Sequence, residues 1–199
     1  FKRHDGQAVT TEDFVAAMED ANNVNFTQFK NWYNQAGTPE VAARYDYNPQ
    51  RGELSLHLKQ NCPLVAGETQ KSPFHIPISI GFLNSQGQDL PATLLEKSEF
   101  DHLASNHEGA TIIHLTQSEQ SFTFSGFKEK PVLSLLREFS APIKLNLEQS
   151  KDELAFIMGH DTDKFNRWEA SQKLAVEEMK SLVAQFQATN EPVEQQSSY

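Results

Sequence analysis

One cysteine stands in 199 residues. A lone Cys62 excludes an internal disulfide and favours a reducing compartment. In Gln60-Asn61-Cys62-Pro63 it has no base nearby in sequence, so an inert thiol is expected there and not a nucleophile. No apolar run approaches the roughly 20 residues that cross a bilayer, which excludes membrane insertion by a helix. Positive charge is scarce as well, with 17 Lys and Arg against 27 Asp and Glu and a net charge of −10. The acidity is spread along the chain without a basic stripe, which argues against nucleic acid as a partner. A glycine-rich phosphate loop is absent. So are an initial methionine and a cationic-plus-apolar leader. A start at Phe1 then fits an excised piece of a longer cytoplasmic protein better than a natural N-terminus.

Catalytic spacing is missing too. A zinc peptidase uses His-Glu-x-x-His because residues four apart on a helix aim two imidazoles at one ion, with the Glu as base. His107-Glu108 begins that pattern, but Thr111 holds the second histidine's position and Gly109 sits where helix is needed. No two of the seven histidines (4, 57, 75, 102, 107, 114 and 160) stand four apart. His57, His75 and His114 fall in the polar phase or at the ends of strand patterns, where a solvated role is expected. His102 and His107 share an irregular stretch with Asp101 and Glu108, the one place where adventitious metal is considered. Ser79 in Ile78-Ser79-Ile80-Gly81 lacks the first glycine of a nucleophile elbow, and Glu177-Glu178 reads as solvated charge. The expected catalytic, cofactor and metal residues are none.

What is present is a change of period. Phe26, Phe29, Trp32 and Tyr33 recur at helical spacing, Gly37 and Pro39 end the helix, and Val41, Ala43, Tyr45 and Tyr47 then alternate. Residues 10–36 are predicted to form a helical pair, begun by Thr10 or Thr11 ahead of Glu12 and Asp13. Phe14 and Met18 would share one face, and Asn25 with Gln28 would cap the second helix. From about 38 to 148 the strand period dominates, in Leu54-Leu56-Leu58, Ile76-Ile78-Ile80-Phe82, Phe122-Phe124 and Ile143-Leu145-Leu147. Strands apolar on one face suit antiparallel sheets packed face to face, and about seven of them in this length suit an immunoglobulin-like sandwich. Residues 48–52 and Asn84-Ser85-Gln86-Gly87 read as turns, and Pro77 marks an edge strand. Ser150-Lys151-Asp152-Glu153 is a capping box for a helix with Leu154, Ile157 and Met158 on one face, stopped by Gly159. Asp161 or Thr162 begins a longer helix with Phe165, Trp168, Ala175, Met179, Leu182 and Phe186 on one stripe.

Several runs, in order, carry a family resemblance: Arg3-His4-Asp5-Gly6-Gln7-Ala8-Val9-Thr10, Asp13-Phe14, Ala17-Met18-Glu19-Asp20-Ala21 and Trp32 to Pro39. Glu138-Phe139-Ser140-Ala141-Pro142-Ile143-Lys144-Leu145 and Phe165-x-Arg167-Trp168-Glu169-Ala170 continue it. Together they resemble the bacterial aminopeptidase N family, zinc-dependent alanyl aminopeptidases of the gluzincin class. The resemblance implies a fragment mainly β with flanking helices. Residues 1–37 would be the helical end of a catalytic domain, 38–148 an immunoglobulin-like linker sandwich, and 149–199 the start of a C-terminal stacked-helix domain. It implies zinc and peptide substrates for the longer enzyme, with no catalytic residue on this stretch. The fragment's partners would be the enzyme's own catalytic and C-terminal domains, and any self-association would be non-physiological. The other reading is a stand-alone immunoglobulin-like binding module.

Overall fold

The structure, a computed structural model, describes residues 2–98, 100 and 110–189. Alternation of apolar and polar side chains produces eight strands among them: β1 (Glu40–Asn48), β2 (Glu53–Asn61), β3 (Ile76–Leu83), β4 (Thr93–Leu94), β5 (Ala110–Leu115), β6 (Glu119–Ser125), β7 (Val132–Leu135) and β8 (Lys144–Leu147). They form a five-stranded sheet, β4-β6-β2-β1-β8, and a three-stranded sheet, β5-β3-β7. The phase read from sequence holds. Leu54, Leu56, Ile78, Ile80, Phe122 and Phe124 are buried in one core, with Leu145 partly buried at its edge. Phe82 of β3 meets Phe124 of β6 at 4.8 Å between ring centroids, so the two inner faces interdigitate. The fold class is an immunoglobulin-like sandwich with helical flanks. One pairing is not antiparallel, since β8 runs parallel to β1 from Glu40↔Lys144 to Ala43↔Leu147.

Pro77 corrects the edge-strand expectation, because β3 is the central strand of its sheet. The reason is local. β7 pairs with β3 only over Ile80–Leu83. The amide of Ser79 turns to the same flank and donates to Ser140 Oγ instead of to a strand. Backbone groups two residues apart face the same way in a strand, so the N–H that Pro77 lacks falls on an unpaired stretch.

The flanks depart further from expectation. α1 (Thr11–Asn22) is capped by Thr10, whose hydroxyl accepts from the Asp13 amide while Asp13 answers the Thr10 amide. Its buried residue is Val15, and Phe14 and Met18 are exposed. The second helix shrinks to α2 (Asn31–Asn34), led in by turns from Phe26. Gln28 caps nothing there, because its side chain is used elsewhere. α3 (Lys151–His160) has the expected capping box at Ser150 and Glu153 but runs through Gly159 and ends at Asp161. α4 (Lys164–Thr189) begins after Asp163, whose carboxylate accepts from the Asn166 amide. The buried side of α4 carries Asn166 and Ala170, one step around from the expected stripe. Trp168, Met179 and Phe186 are exposed. No helix among the described residues is long and apolar enough to cross a membrane.

Candidate functional site

The sandwich meets α3 and α4 at a buried cation. Arg137 follows β7 in a single 3₁₀ turn and is 4% exposed. Its Nε donates to Ser134 Oγ at 2.9 Å, and its Nη2 reaches Asp161 Oδ1 at 3.1 Å and Asp89 Oδ1 at 2.7 Å. Asp161 is the residue that ends α3, and its second oxygen accepts from Ser134 Oγ at 2.6 Å. Asn166 in the first turn of α4 donates to Ser134 Oγ and to the Leu135 carbonyl. Thr162 donates to the other oxygen of Asp89 at 2.8 Å. Every element at the junction thus supplies a partner: β7, the turn after β3, the break between α3 and α4, and α4 itself. A planar five-donor cation is the side chain that can join so many acceptors at once.

The backbone is fitted to that cation. A Cβ on Gly81 would lie 2.0 Å from Arg137 Cζ, so glycine is required for the guanidinium to lie across β3. Gly87, at φ +79, turns the chain beneath α3, where a Cβ would lie 2.5 Å from His160 Cβ. Leu136, Glu138 and Phe139 have φ of 60, 58 and 52. Such left-handed conformations cost about 1–2 kcal/mol each in non-glycine residues. They are held by the Arg137 contacts and by the Glu138 amide, which donates to Asp163 Oδ2 at 2.9 Å. Beside them Phe139, Ile143, Leu147, Phe165, Trp168 and Val176 line an open apolar groove of about 590 Å³.

The N-terminal flank is held mainly by neutral donors, with Lys71 Nζ also donating to the Ala36 carbonyl. Gln28, Asn31, Trp32 and Gln35 follow helical spacing, i, i+3, i+4 and i+7, and all point at one strand approach. Gln28 donates to the carbonyls of Thr116 and Pro73, Asn31 to Pro73, Trp32 to His75 and Gln35 to Ser72. Gln35 also accepts from the Ser72 amide at 2.6 Å. Trp32 packs on Phe74, and Phe29 sets its ring edgewise to His75. His75 corrects the solvated expectation, being 4% exposed, with Nε2 2.8 Å from Nδ1 of His114. Burial, and then His114 beside it, pushes His75 down to about 4.

Of the residues weighed as chemistry, His102 and His107 lie outside the described residues. Cys62 is buried with Sγ 3.6 Å from the Ala36 carbonyl. His57 is drawn into an unforeseen line across three strands, with Nδ1 2.7 Å from Ser121 Oγ and Nε2 3.7 Å from Asp46 Oδ2. Those residue types match a hydrolytic triad, but the carboxylate is beyond hydrogen-bond reach and lies in open solvent. The amides of β2 on either side of His57 belong to sheet ladders with β1 and β6, so that strand offers no donor pair to hold an oxyanion. Among the described residues no group of three or more His, Cys, Asp or Glu is placed to hold a metal ion. Sequence reasoning missed Arg137, Asp161 and Asp89 as a unit. The available signal was a single arginine closing the apolar run from Val132 to Leu136, with Asp161 and Asp163 bracketing a helix break.

The chain is similar along its length to aminopeptidases. It is 40% identical over 187 residues to aminopeptidase N of Escherichia coli strain K12, covering 94% of this chain and 20% of that protein. Aminopeptidase N of Haemophilus influenzae is 33% identical over 184 residues, again 20% of its length. The chain therefore spans about a fifth of the curated relatives it matches. A crystal structure of Legionella pneumophila aminopeptidase A in complex with aspartic acid superposes with a TM-score of 0.72 at 27% identity, over 98% of this chain and 20% of that one. Residues 151–198 match a second family, described as domain of unknown function DUF3458_C with ARM repeats. Residues 37–148, over half the chain, match the first, and the chain belongs to the family described as domain of unknown function (DUF3458) with an Ig-like fold.

Proposed function

We propose that this chain is the non-catalytic scaffold of a cytoplasmic, zinc-dependent aminopeptidase that removes N-terminal residues from peptides. Its segments divide at 1–37, 38–148 and 149–199 into the end of a catalytic domain, a sandwich linker and the opening of a helical domain. The observation that carries the reading is the pair of polar attachments at opposite flanks of one sandwich, in a chain similar throughout to a fifth of aminopeptidase N. A sandwich bonded rigidly to helices on both flanks can fix the angle between two larger bodies. In an aminopeptidase that angle would shape the chamber through which short peptides reach the active site. The zinc of such an enzyme would be held elsewhere. Among the described residues no group of three or more His, Cys, Asp or Glu is placed to hold a metal ion, and in this reading the chemical steps would belong to other parts of the enzyme. The exposed Trp168 and Met179 suit contact with further helices of a repeat array, and self-association of the isolated chain through them would be non-physiological.

The test is direct. The purified chain, dialysed exhaustively, is expected to contain well under one zinc per molecule and to leave alanyl anilides intact. One tightly bound zinc per chain together with turnover would overturn the scaffold reading.

A further inference from the structure

The helix ends at the C-terminal junction are capped by carboxylates that the sandwich also holds. Glu153, in the first turn of α3, accepts from the Ser150 amide with Oε2 at 3.1 Å and from the Tyr45 hydroxyl of β1 with Oε1 at 2.9 Å. Lys130 Nζ, ahead of β7, stands 3.5 Å from the same Oε1. Asp161 ends α3. Its Oδ1 accepts from the Asp163 amide at 2.9 Å as well as from Arg137, and its Oδ2 accepts from Ser134 of β7 at 2.6 Å. Asp163 leads into α4. Its Oδ1 accepts from the Asn166 amide at 2.7 Å, and its Oδ2 from the Glu138 amide at 2.9 Å. Each carboxylate thus gives one oxygen to a helix end and the other to the sandwich or to the turn after β7. α1 is built differently, because its capping box is closed between Thr10 and Asp13.

This division matters because α3 is weak by itself. It has ten residues, fewer than the roughly 12–15 at which an isolated helix becomes even marginal in water. Its buried apolar contact is small, Leu154 and Ile157 against Ala170 of α4. A carboxylate already fixed by the sandwich can cap a helix without losing further rotamer freedom. We propose that the sandwich is the folding template of these helices: through the three divided carboxylates, α3 and the first turns of α4 take helical form on docking and not ahead of it. The inference is independent of which enzyme the chain belongs to. It reverses the usual order, in which helices, made of local contacts, form faster than non-local strand pairs.

Two measurements on the full chain test it. The first is pulse-labelling hydrogen exchange with mass spectrometry during refolding from urea. Amides of 151–170 should gain protection together with those of β1 and β2, or after them. The second separates the two jobs of each carboxylate. Asp163→Asn keeps a residue that caps helices as well as aspartate does. Its single acceptor oxygen, however, can serve Asn166 or Glu138 and not both. Tyr45→Phe removes the hydroxyl on the sandwich and leaves the Ser150–Glu153 box intact. Each substitution should raise the unfolding equilibrium constant in urea about tenfold, as expected for a lost hydrogen bond to a charged group. The template is wrong if 151–170 are protected ahead of the strands. It is equally wrong if either substitution leaves that constant within about twofold of wild type, the result expected of caps that act only on their own helix.

Discussion

Arg137 stabilises through its partners and not through its charge. Desolvating a guanidinium and the fully buried Asp161 carboxylate costs several kcal/mol, which the paired geometry offsets. Removing the cation alone leaves the Asp161 charge buried without a counter-charge, with only the neutral Ser134 hydroxyl and Asp163 amide donating to it. Arg137→Ala is expected to cost about 3–5 kcal/mol in urea unfolding. Gly81→Ala, by pushing a methyl into the guanidinium, should cost a large part of that by itself. In the Arg137→Ala background the Gly81→Ala penalty should nearly vanish, because the atom it strikes is gone. Additive effects would mean that the close approach across β3 does not matter. At this scale the sequence hides most. An arginine after Leu135-Leu136 reads as the exposed end of a strand, since its partners stand 24 and 48 residues away. His75 was misread for a similar reason, as its neighbours Phe29 and His114 come from distant segments.

Elements were legible where one period governed a whole segment. β2 follows its apolar alternation from Leu54 to Leu58 because both neighbours, β1 and β6, keep that phase. The turn at Asn84 is equally local, with the Asn84 side chain accepting from the amides of Gln86 and Gln88. α4 was legible as a helix but not as to its buried side. Its apolar residues spread over more than one face, and the sandwich selects Asn166 and Ala170, one of them polar. The choice follows from the carbonyl of Leu135 and the hydroxyl of Ser134, which need a donor there. Hydrophobic periodicity carries no signal for such a contact. A paired substitution tests the observed phase. Ala170→Glu should unfold the α3–α4 junction at a cost of several kcal/mol, as a charge is forced against Leu154 and Ile157. Trp168→Glu, at a position 57% exposed, should change the chain's own stability by about 0.5 kcal/mol or less. The reverse order would restore the stripe expected from sequence.

The whole molecule is a sandwich with unlike attachments on its two flanks. Mainly neutral amides and an indole, with Lys71 at the Ala36 carbonyl, hold the N-terminal segment to the sandwich, while a buried ion network holds the C-terminal helices. The central claim is that Arg137 makes α3, α4 and the sandwich one cooperative body, which a scaffold requires and a loose tether does not. Native-state hydrogen exchange with mass spectrometry reads this directly by comparing amides of 151–189 with those of β2 and β3 in wild type and Arg137→Ala. In the wild type, the protected amides of α3 and the first turns of α4 should open with the strands in a single event. In Arg137→Ala they should open separately and at lower free energy, while β2 keeps the protection its own stability allows. Helices that already exchange independently of the strands in the wild type, or that remain coupled to them without Arg137, would contradict the account.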